Sequence, residues 1–267
     1  MKLLCATVLA IGLVIAAPEP QAFRFVLLGD RTGETVSGIY DQVWKEVAAE
    51  KPAFVLGVGD TIQGGNDATA EAEWKAVPQP KAIPFYQAPG NHDIWSEASE
   101  KLFTKYTGRP PHYSFDYGPA HFTILDNSRT DQFSAAEMSY LEEDLKAHAE
   151  QPLKFIVSHR PSWIFNAVLG NPDFELQRLA KRYGVRFIVA GHVHKLAHAE
   201  LEGITYLSMQ SAGGHLRESG KYEDGWFFGY DTADVDAHGA TIHIKELGGR
   251  TTSLSDWGVA GLKPTQH

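Results

Sequence analysis

The sequence predicts an α/β fold, and three observations carry the prediction. Short β-branched or aromatic runs alternate with amphipathic stretches, as they do where helices are layered on a sheet. Glycines, acids, amides and histidines recur where the apolar runs end. Late in the chain the helical pattern stops and strand patterns follow one another, which argues against a simple doubly wound sheet. With 267 residues, 43% hydrophobic and 21% charged, the chain is expected to bury a core and is neither a mini-scaffold nor a disordered chain. Its 24 Lys and Arg against 33 Asp and Glu leave a net charge of -9, which excludes attachment to nucleic acid or anionic lipid by bulk charge.

Residues 1–22 read as a secretory signal peptide, because Lys2 precedes an apolar run from Leu3 to Ala17 that gives way to small residues and prolines. The run is short for a spanning helix and has no stop-transfer cluster after it; the competing reading is an uncleaved anchor. Cleavage near Ala17 to Ala22 implies a secreted or periplasmic protein with no stable membrane insertion afterwards. The one cysteine, Cys5, falls in that segment. Any metal bound by the mature chain must therefore use oxygen and imidazole ligands. Residues 23–267 show no internal repeat and no linker and read as a single domain.

Strands are expected at 23–28, 53–58, 85–88, 113–117, 121–125, 153–157, 186–189, 205–208, 226–230 and 240–244. A helix over 36–49 places Val36, Ile39, Tyr40, Val43 and Val47 on one face. Ser134 followed by Glu137 is a capping-box pattern, opening a helix whose Met138, Leu141 and Leu145 form a stripe and whose Glu142, Glu143 and Asp144 read as a solvated face. A further helix over 174–183 stops at Gly184, a left-handed cap position.

The chemistry-bearing residues sit at the ends of the strands. Gly29-Asp30 ends the first, Gly59-Asp60 the second, Gly90-Asn91-His92-Asp93 the third, Ser158-His159 a later one and Gly191-His192-Val193-His194 another. In open α/β sheets the loops at that edge converge on one crevice. Two carboxylates, an amide and four imidazoles buried together would cost several kcal/mol or more unless paired or bound to cations, and divalent metals suit this donor set. Taken singly, each Gly-Asp is a turn with a helix cap. His112, His121, His148, His198, His238 and His243 read as surface or satisfied core residues, while His215 stays open. Trp95 and Trp163 either wall a cleft or pack.

In their order, these motifs resemble those of the calcineurin-like metallophosphoesterase family, which includes purple acid phosphatases and cyclic-nucleotide phosphodiesterases. The resemblance runs from about Phe23 to Ser211. It implies a four-layer α/β/β/α sandwich and two metal ions, Fe, Mn or Zn, at one edge of the sheets. By position, Asp30 and His194 would hold one ion, Asn91, His159 and His192 the other, and Asp60 would bridge. His92 would face a small phosphoester substrate as general acid, and Asp93 could bias its imidazole.

The chain departs from the family in two places. Asp30-Arg31-Thr32 lacks the His of the usual Asp-x-His, and the tyrosine by which purple acid phosphatases compensate is Gln63 here. Thr32, Gln63, a water or His215 could fill the position, and the first ion is expected to bind more weakly than the second. Gln63 also stands where many relatives carry an acid that orients the general-acid histidine. Arg31 and Arg160 are either phosphoryl ligands or loop-surface residues.

The expected function is a metal-dependent hydrolase of phosphomonoesters or phosphodiesters. The competing readings are a phosphate-ligand-binding pseudoenzyme and, more remotely, a zinc hydrolase of another kind. Substrate selectivity is assigned to loops at 96–111 and 161–172.

Overall fold

The computed structural model describes residues 21–78 and 82–257. Apart from Gln21 and Ala22, the segment read as a signal peptide, with Cys5, lies outside the described residues. The elements in chain order are β1 (Phe23–Leu28), α1 (Ile39–Ala49), β2 (Val55–Gly57), α2 (Asp67–Ala76), β3 (Phe85–Gln87), α3 (Glu97–Thr107), β4 (Tyr113–Tyr117) and β5 (Ala120–Ile124). There follow α4 (Ala135–Ala147), β6 (Leu153–Val157), α5 (Ile164–Val168), α6 (Glu175–Arg182), β7 (Phe187–Ala190), β8 (Ala197–Leu201) and β9 (Ile204–Ser208). The last are β10 (Gly229–Asp236), β11 (Gly239–Glu246), β12 (Thr251–Ser253) and a short α7 (Leu254–Trp257).

The strands form two six-stranded sheets, in the orders β12-β11-β10-β1-β2-β3 and β4-β5-β6-β7-β9-β8. Strands β1, β2 and β3 are parallel, as are β5, β6, β7 and β9, while β10 returns antiparallel to β1 and β4 antiparallel to β5. Side-chain alternation explains why both faces are covered. In β6, Phe155 and Val157 enter the core between the sheets and Ile156 enters the core under the outer helices. In β1, Phe25 and Leu27 point to the inter-sheet core, and Val26 and Leu28 to the core shared with α1. The result is the expected four-layer α/β/β/α sandwich.

An aromatic ladder stiffens the second sheet from within. Phe115, Phe122, Phe155 and Phe187 stack across four strands with ring centroids 4.8, 4.9 and 4.7 Å apart, and Phe25 of the first sheet meets Phe122 and Phe155 edge-on. Such pairs stabilise beyond their buried area by about 0.5–1.5 kcal/mol each.

The structure corrects several local expectations. The strand expected at 226–230 is instead β10, shifted along because its partner is β1, with Phe23 opposite Val235. Strand β8 was not anticipated, since Ala197-His198-Ala199-Glu200-Leu201 carries little strand propensity and forms as an edge hairpin on β9. Helix α1 starts at Ile39, since Val36 N–H is taken by the Gly213 carbonyl at 2.7 Å.

The capping box on α4 is half made. Ser134 accepts from Glu137 N–H, but the Glu137 carboxylate turns to Asp126 N–H and His112 instead. Asp144 is buried rather than solvated, bonded to Ser114, His121 and Thr123. The segment 96–111, expected as a selectivity loop, is largely helix α3, opened by a Ser96–Ser99 capping box. Among the described residues, no helix is long and apolar enough to cross a membrane.

Candidate metal centre

Every strand end singled out in the sequence arrives at one edge of the sandwich. Asp30, Asp60 and Asn91-His92 follow β1, β2 and β3, and His159 and His192-Val193-His194 follow β6 and β7. Asp60, His192 and His194 have φ of 56°, 70° and 59°, in the left-handed region that side chains other than glycine rarely occupy. Strain of this kind, about 1–3 kcal/mol per residue, persists only where surrounding contacts impose it. Here they do. His192 N–H donates to both Asp30 oxygens at 3.1 and 2.9 Å, and His92 N–H donates to Asp60 Oδ1 at 2.9 Å. Gly90 and Gly191 lie so close that a Cβ on either would overlap the Asp60 or Asp30 carboxylate.

The donors close around His159, which is fully buried. Its Nε2 lies 3.2 Å from Asp60 Oδ2, 3.1 Å from Asn91 Oδ1 and 3.3 Å from His192 Nδ1. Its Nδ1–H donates to the Val58 carbonyl at 2.8 Å, which fixes the tautomer and turns the Nε2 lone pair toward the cluster. His194 repeats the device. Its Nδ1–H donates to the His215 carbonyl at 2.8 Å, and its buried Nε2, 3.4 Å from Asp30 Oδ2, has no hydrogen-bond partner among the described residues. An orphaned imidazole nitrogen beside a buried carboxylate suits a cation.

The electrostatics agree. Burial pushes the His159 imidazole down, but the charge and hydrogen bond of Asp60, with Asp30 beyond, raise it to about 9. Burial and the neighbouring His159 and Arg160 charges hold His192 down at about 4, so it stays a neutral donor. Burial opposes the Asp60 charge, yet His159 and His92 keep its carboxyl below the usual range. The nitrogen the acids keep protonated is also the one a cation would take, so proton and cation compete for it.

A family model for calcineurin-like phosphoesterases matches residues 24–196. The chain belongs to that family. Purple acid phosphatase 23 of Arabidopsis thaliana is 29% identical over 150 residues, covering 47% of this chain and 32% of the relative. Purple acid phosphatase 15 of the same plant is 26% identical over 130 residues, covering 42% and 24%. The chain thus spans a third or less of the curated relatives it matches. Purple acid phosphatase PPD1 from yellow lupin superposes with a TM-score of 0.66 at 17% identity over 88% of this chain and 53% of that one. GAP50, the anchor in the inner membrane complex of Plasmodium, superposes at 0.62 and 15% identity, over 87% and 88%. At these identities the structural likeness speaks for the fold alone.

Within this calcineurin-like chain the departures from the family pattern are filled locally. Thr32 Oγ1 donates to Gln63 Oε1 and accepts from Thr35 Oγ1, and Gln63 Oε1 also accepts from Glu34 N–H, so both oxygens are engaged within these loops. The Gln63 backbone carbonyl, not Asp93, accepts from His92 Nδ1. Asp93 is a clamp between two loops: its buried carboxylate accepts from Thr61, Ile62 and Gly90 N–H, while burial and the Asp60 charge push its pKa up. Arg31 donates to the Thr61 carbonyl and Arg160 to Asp131 and the Ser128 carbonyl. Trp163 packs in the core under the outer helices against Tyr206, and Trp95 joins the small core between α2 and α3.

Two residues escaped the sequence reading. Asn127 holds the His159 loop, accepting from His159 and Arg160 N–H and donating to the Arg160 carbonyl. It follows β5, so the strand-end rule could have selected it. Arg217 donates to the His192 carbonyl at 3.2 Å and, with Gly33, Glu34, Gln63, His92 and His215, lines a cavity of about 380 Å³. No strand end marks it, and only the folded loop brings it there.

Proposed function

We propose that this chain is a metal-dependent hydrolase of phosphomonoesters or phosphodiesters, acting as a single domain over residues 23–267. The observation that carries the reading is the convergence of Asp60, Asn91 and His192 on His159 Nε2 within 3.3 Å. Asp60, Asn91, His159 and His192 would hold one ion, and Asp30 and His194 would complete a second site beside Asp60. Bound there, a cation pair supplies Lewis acidity, activating water and neutralising charge on the phosphoryl oxygens.

The chain's own groups do the rest. His92 Nδ1–H is anchored on the Gln63 carbonyl, which leaves Nε2 to carry the proton given to the departing alkoxide, a role worth about 10²–10⁴-fold. His92 N–H on Asp60 ties this acid to the carboxylate between the two sites. Arg217 and His215 flank the same cavity and supply positive or donor character for an anionic substrate. Because Thr32 and Gln63 bond each other, the Asp30–His194 site has fewer donors and binds its ion more weakly.

Hydrolysis of a chromogenic phosphomonoester and its bis-ester, with Mn2+ or Zn2+ added back after chelation, tests the reading. Metal-dependent turnover that falls in His92→Ala is expected, and equal rates in the two proteins would deny His92 its role. Metal analysis after dialysis should show one ion lost first; two retained equally tightly would refute the asymmetry. The Thr32–Gln63 bond also favours a second reading, a phosphate-ligand-binding protein without turnover, which metal-dependent phosphate binding with no hydrolysis of either ester would support.

A further inference from the structure

The cavity beside the candidate metal centre carries charges of opposite sign on its wall. Glu34 and Arg217 both line it, with Gln63, His92 and His215. Among the described residues neither charge has an ion-pair partner, and they do not pair with each other. The Arg217 guanidinium donates to the His192 carbonyl alone, and the Glu34 carboxylate has no hydrogen bond.

The separation is built into the backbone. Gly214 N–H donates to the Asp30 carbonyl and His215 N–H to the Gly33 carbonyl, each at 3.2 Å, and Thr35 pairs with Gly214 across an isolated bridge. The two loops pack so closely that a Cβ on Gly214 would overlap the Thr32 carbonyl. Glu34 itself sits at φ 70°, a left-handed conformation that a side chain adopts only where its surroundings impose it. Its N–H donates to Gln63 Oε1 at 3.2 Å, the oxygen that also accepts from Thr32. The residues that depart from the family pattern thus hold Glu34 at the cavity.

The two charges face opposite ends of a bound ester. Arg217 is tied to His192, on the side where the candidate metal donors converge. Glu34 is tied to Gln63, whose backbone carbonyl anchors His92, the ring that would protonate the departing alkoxide. The phosphoryl group therefore belongs at the Arg217 end and the departing group at the Glu34 end. A monoester offers one more unesterified oxygen than a diester, and Arg217 is a donor for it. At the other end a carboxylate repels a departing group that carries further phosphates and attracts one that carries a cation.

We propose that the substrate is a phosphomonoester of an amino alcohol, with Arg217 on a phosphoryl oxygen and Glu34 on the ammonium of the departing group. The proposal rests on the hydrolase reading of this site and adds the polarity of its substrate. Hydrolysis breaks the P–O bond to the amino alcohol, whose oxygen takes the His92 proton. The oxygen of water joins phosphorus, one of its protons restores His92, and the ammonium is unchanged.

Calorimetric titration of the metal-loaded full chain with two phosphonates tests the polarity without turnover. Aminopropylphosphonate replaces the ester oxygen of aminoethyl phosphate with carbon, and butylphosphonate has the same length with no ammonium. The parent should bind the amine about fivefold or more tightly. Glu34→Gln should abolish that ratio, whereas Arg217→Gln should weaken both ligands by a similar factor, about tenfold, and preserve it. Both side chains are exposed, so neither substitution threatens the fold. In hydrolysis, Glu34→Gln should raise KM for aminoethyl phosphate and leave KM for propyl phosphate unchanged.

Equal binding of the two phosphonates by the parent, binding of neither, or a preference that survives Glu34→Gln would overturn the proposal. Metal-dependent hydrolysis of the chromogenic monoester without the preference would overturn this proposal alone. The preference with no hydrolysis of aminoethyl phosphate would instead overturn the hydrolase reading beneath it.

Discussion

Asp231 should make this protein less stable as pH rises, and Asp231→Asn should remove the effect. Asp231 lies fully buried on β10, between Leu27 of β1 and Ile244 of β11. Its Oδ1 accepts from Gln210 Nε2 at 2.8 Å, while its Oδ2 and Gln210 Oε1 have no partner among the described residues. Burial pushes the carboxyl from its ordinary 3.8 up to about 7, with the Gln210 bond pulling weakly the other way. Between those values the folded chain keeps a proton that the unfolded chain has lost, so stability falls as pH rises and levels off above the folded value.

The full loss across that window is about 4 kcal/mol. Asparagine matches the shape, carries no charge and offers its NH2 to Gln210 Oε1. Urea denaturation of parent and variant at several pH values, with a chelator present throughout, isolates the Asp231 contribution as a difference. The two should be nearly equal in stability near pH 4 and about 4 kcal/mol apart in favour of the variant near pH 8. A difference that does not change with pH, or a variant less stable near neutrality, would show that Asp231 does not hold its proton in the folded chain.

Three further outcomes follow from the same structure. Phe155→Ala removes a fully buried rung of the aromatic ladder and should cost about 3–5 kcal/mol, measured by urea denaturation. Gly191→Ala drives a methyl into the Asp30 carboxylate and Val58, so it should lose about 1–3 kcal/mol by thermal melting and retain less metal after dialysis. Cation affinity should fall about tenfold per unit as pH drops below the raised value of His159, because a proton takes the ligating nitrogen. Calorimetric titration at two pH values reads this directly, and an affinity indifferent to pH would remove His159 from the ligand set.

The strands bearing the candidate metal centre were legible because each is an apolar run with a donor at its end, preceded by a glycine in all but β6, where Ser158 stands before His159. Residues such as Leu27-Leu28-Gly29-Asp30 announce strand, turn and candidate ligand locally. Asp144 and Asp93 were not legible. Both are acids that local pattern assigns to solvent or to a neighbouring side chain, and both are buried by partners far along the chain. Strand β10 failed for a related reason: Asp231, Asp234 and Asp236 look like turn residues until pairing with β1 and β11 draws them into a strand, where Asp231 alone of the three is buried.

What the sequence determined by itself was periodicity and order: where most strands lie, β8 and β10 excepted, which edge carries the donors, and which family they belong to. Those features depend on contacts a few residues apart. The tertiary structure alone decided that Gln63 bonds Thr32 while its carbonyl anchors His92, and that Glu34 and Arg217 enter one cavity. These depend on which loop a side chain faces once both sheets have packed, and hydrogen bonds between distant loops leave no spacing in the chain from which to read them.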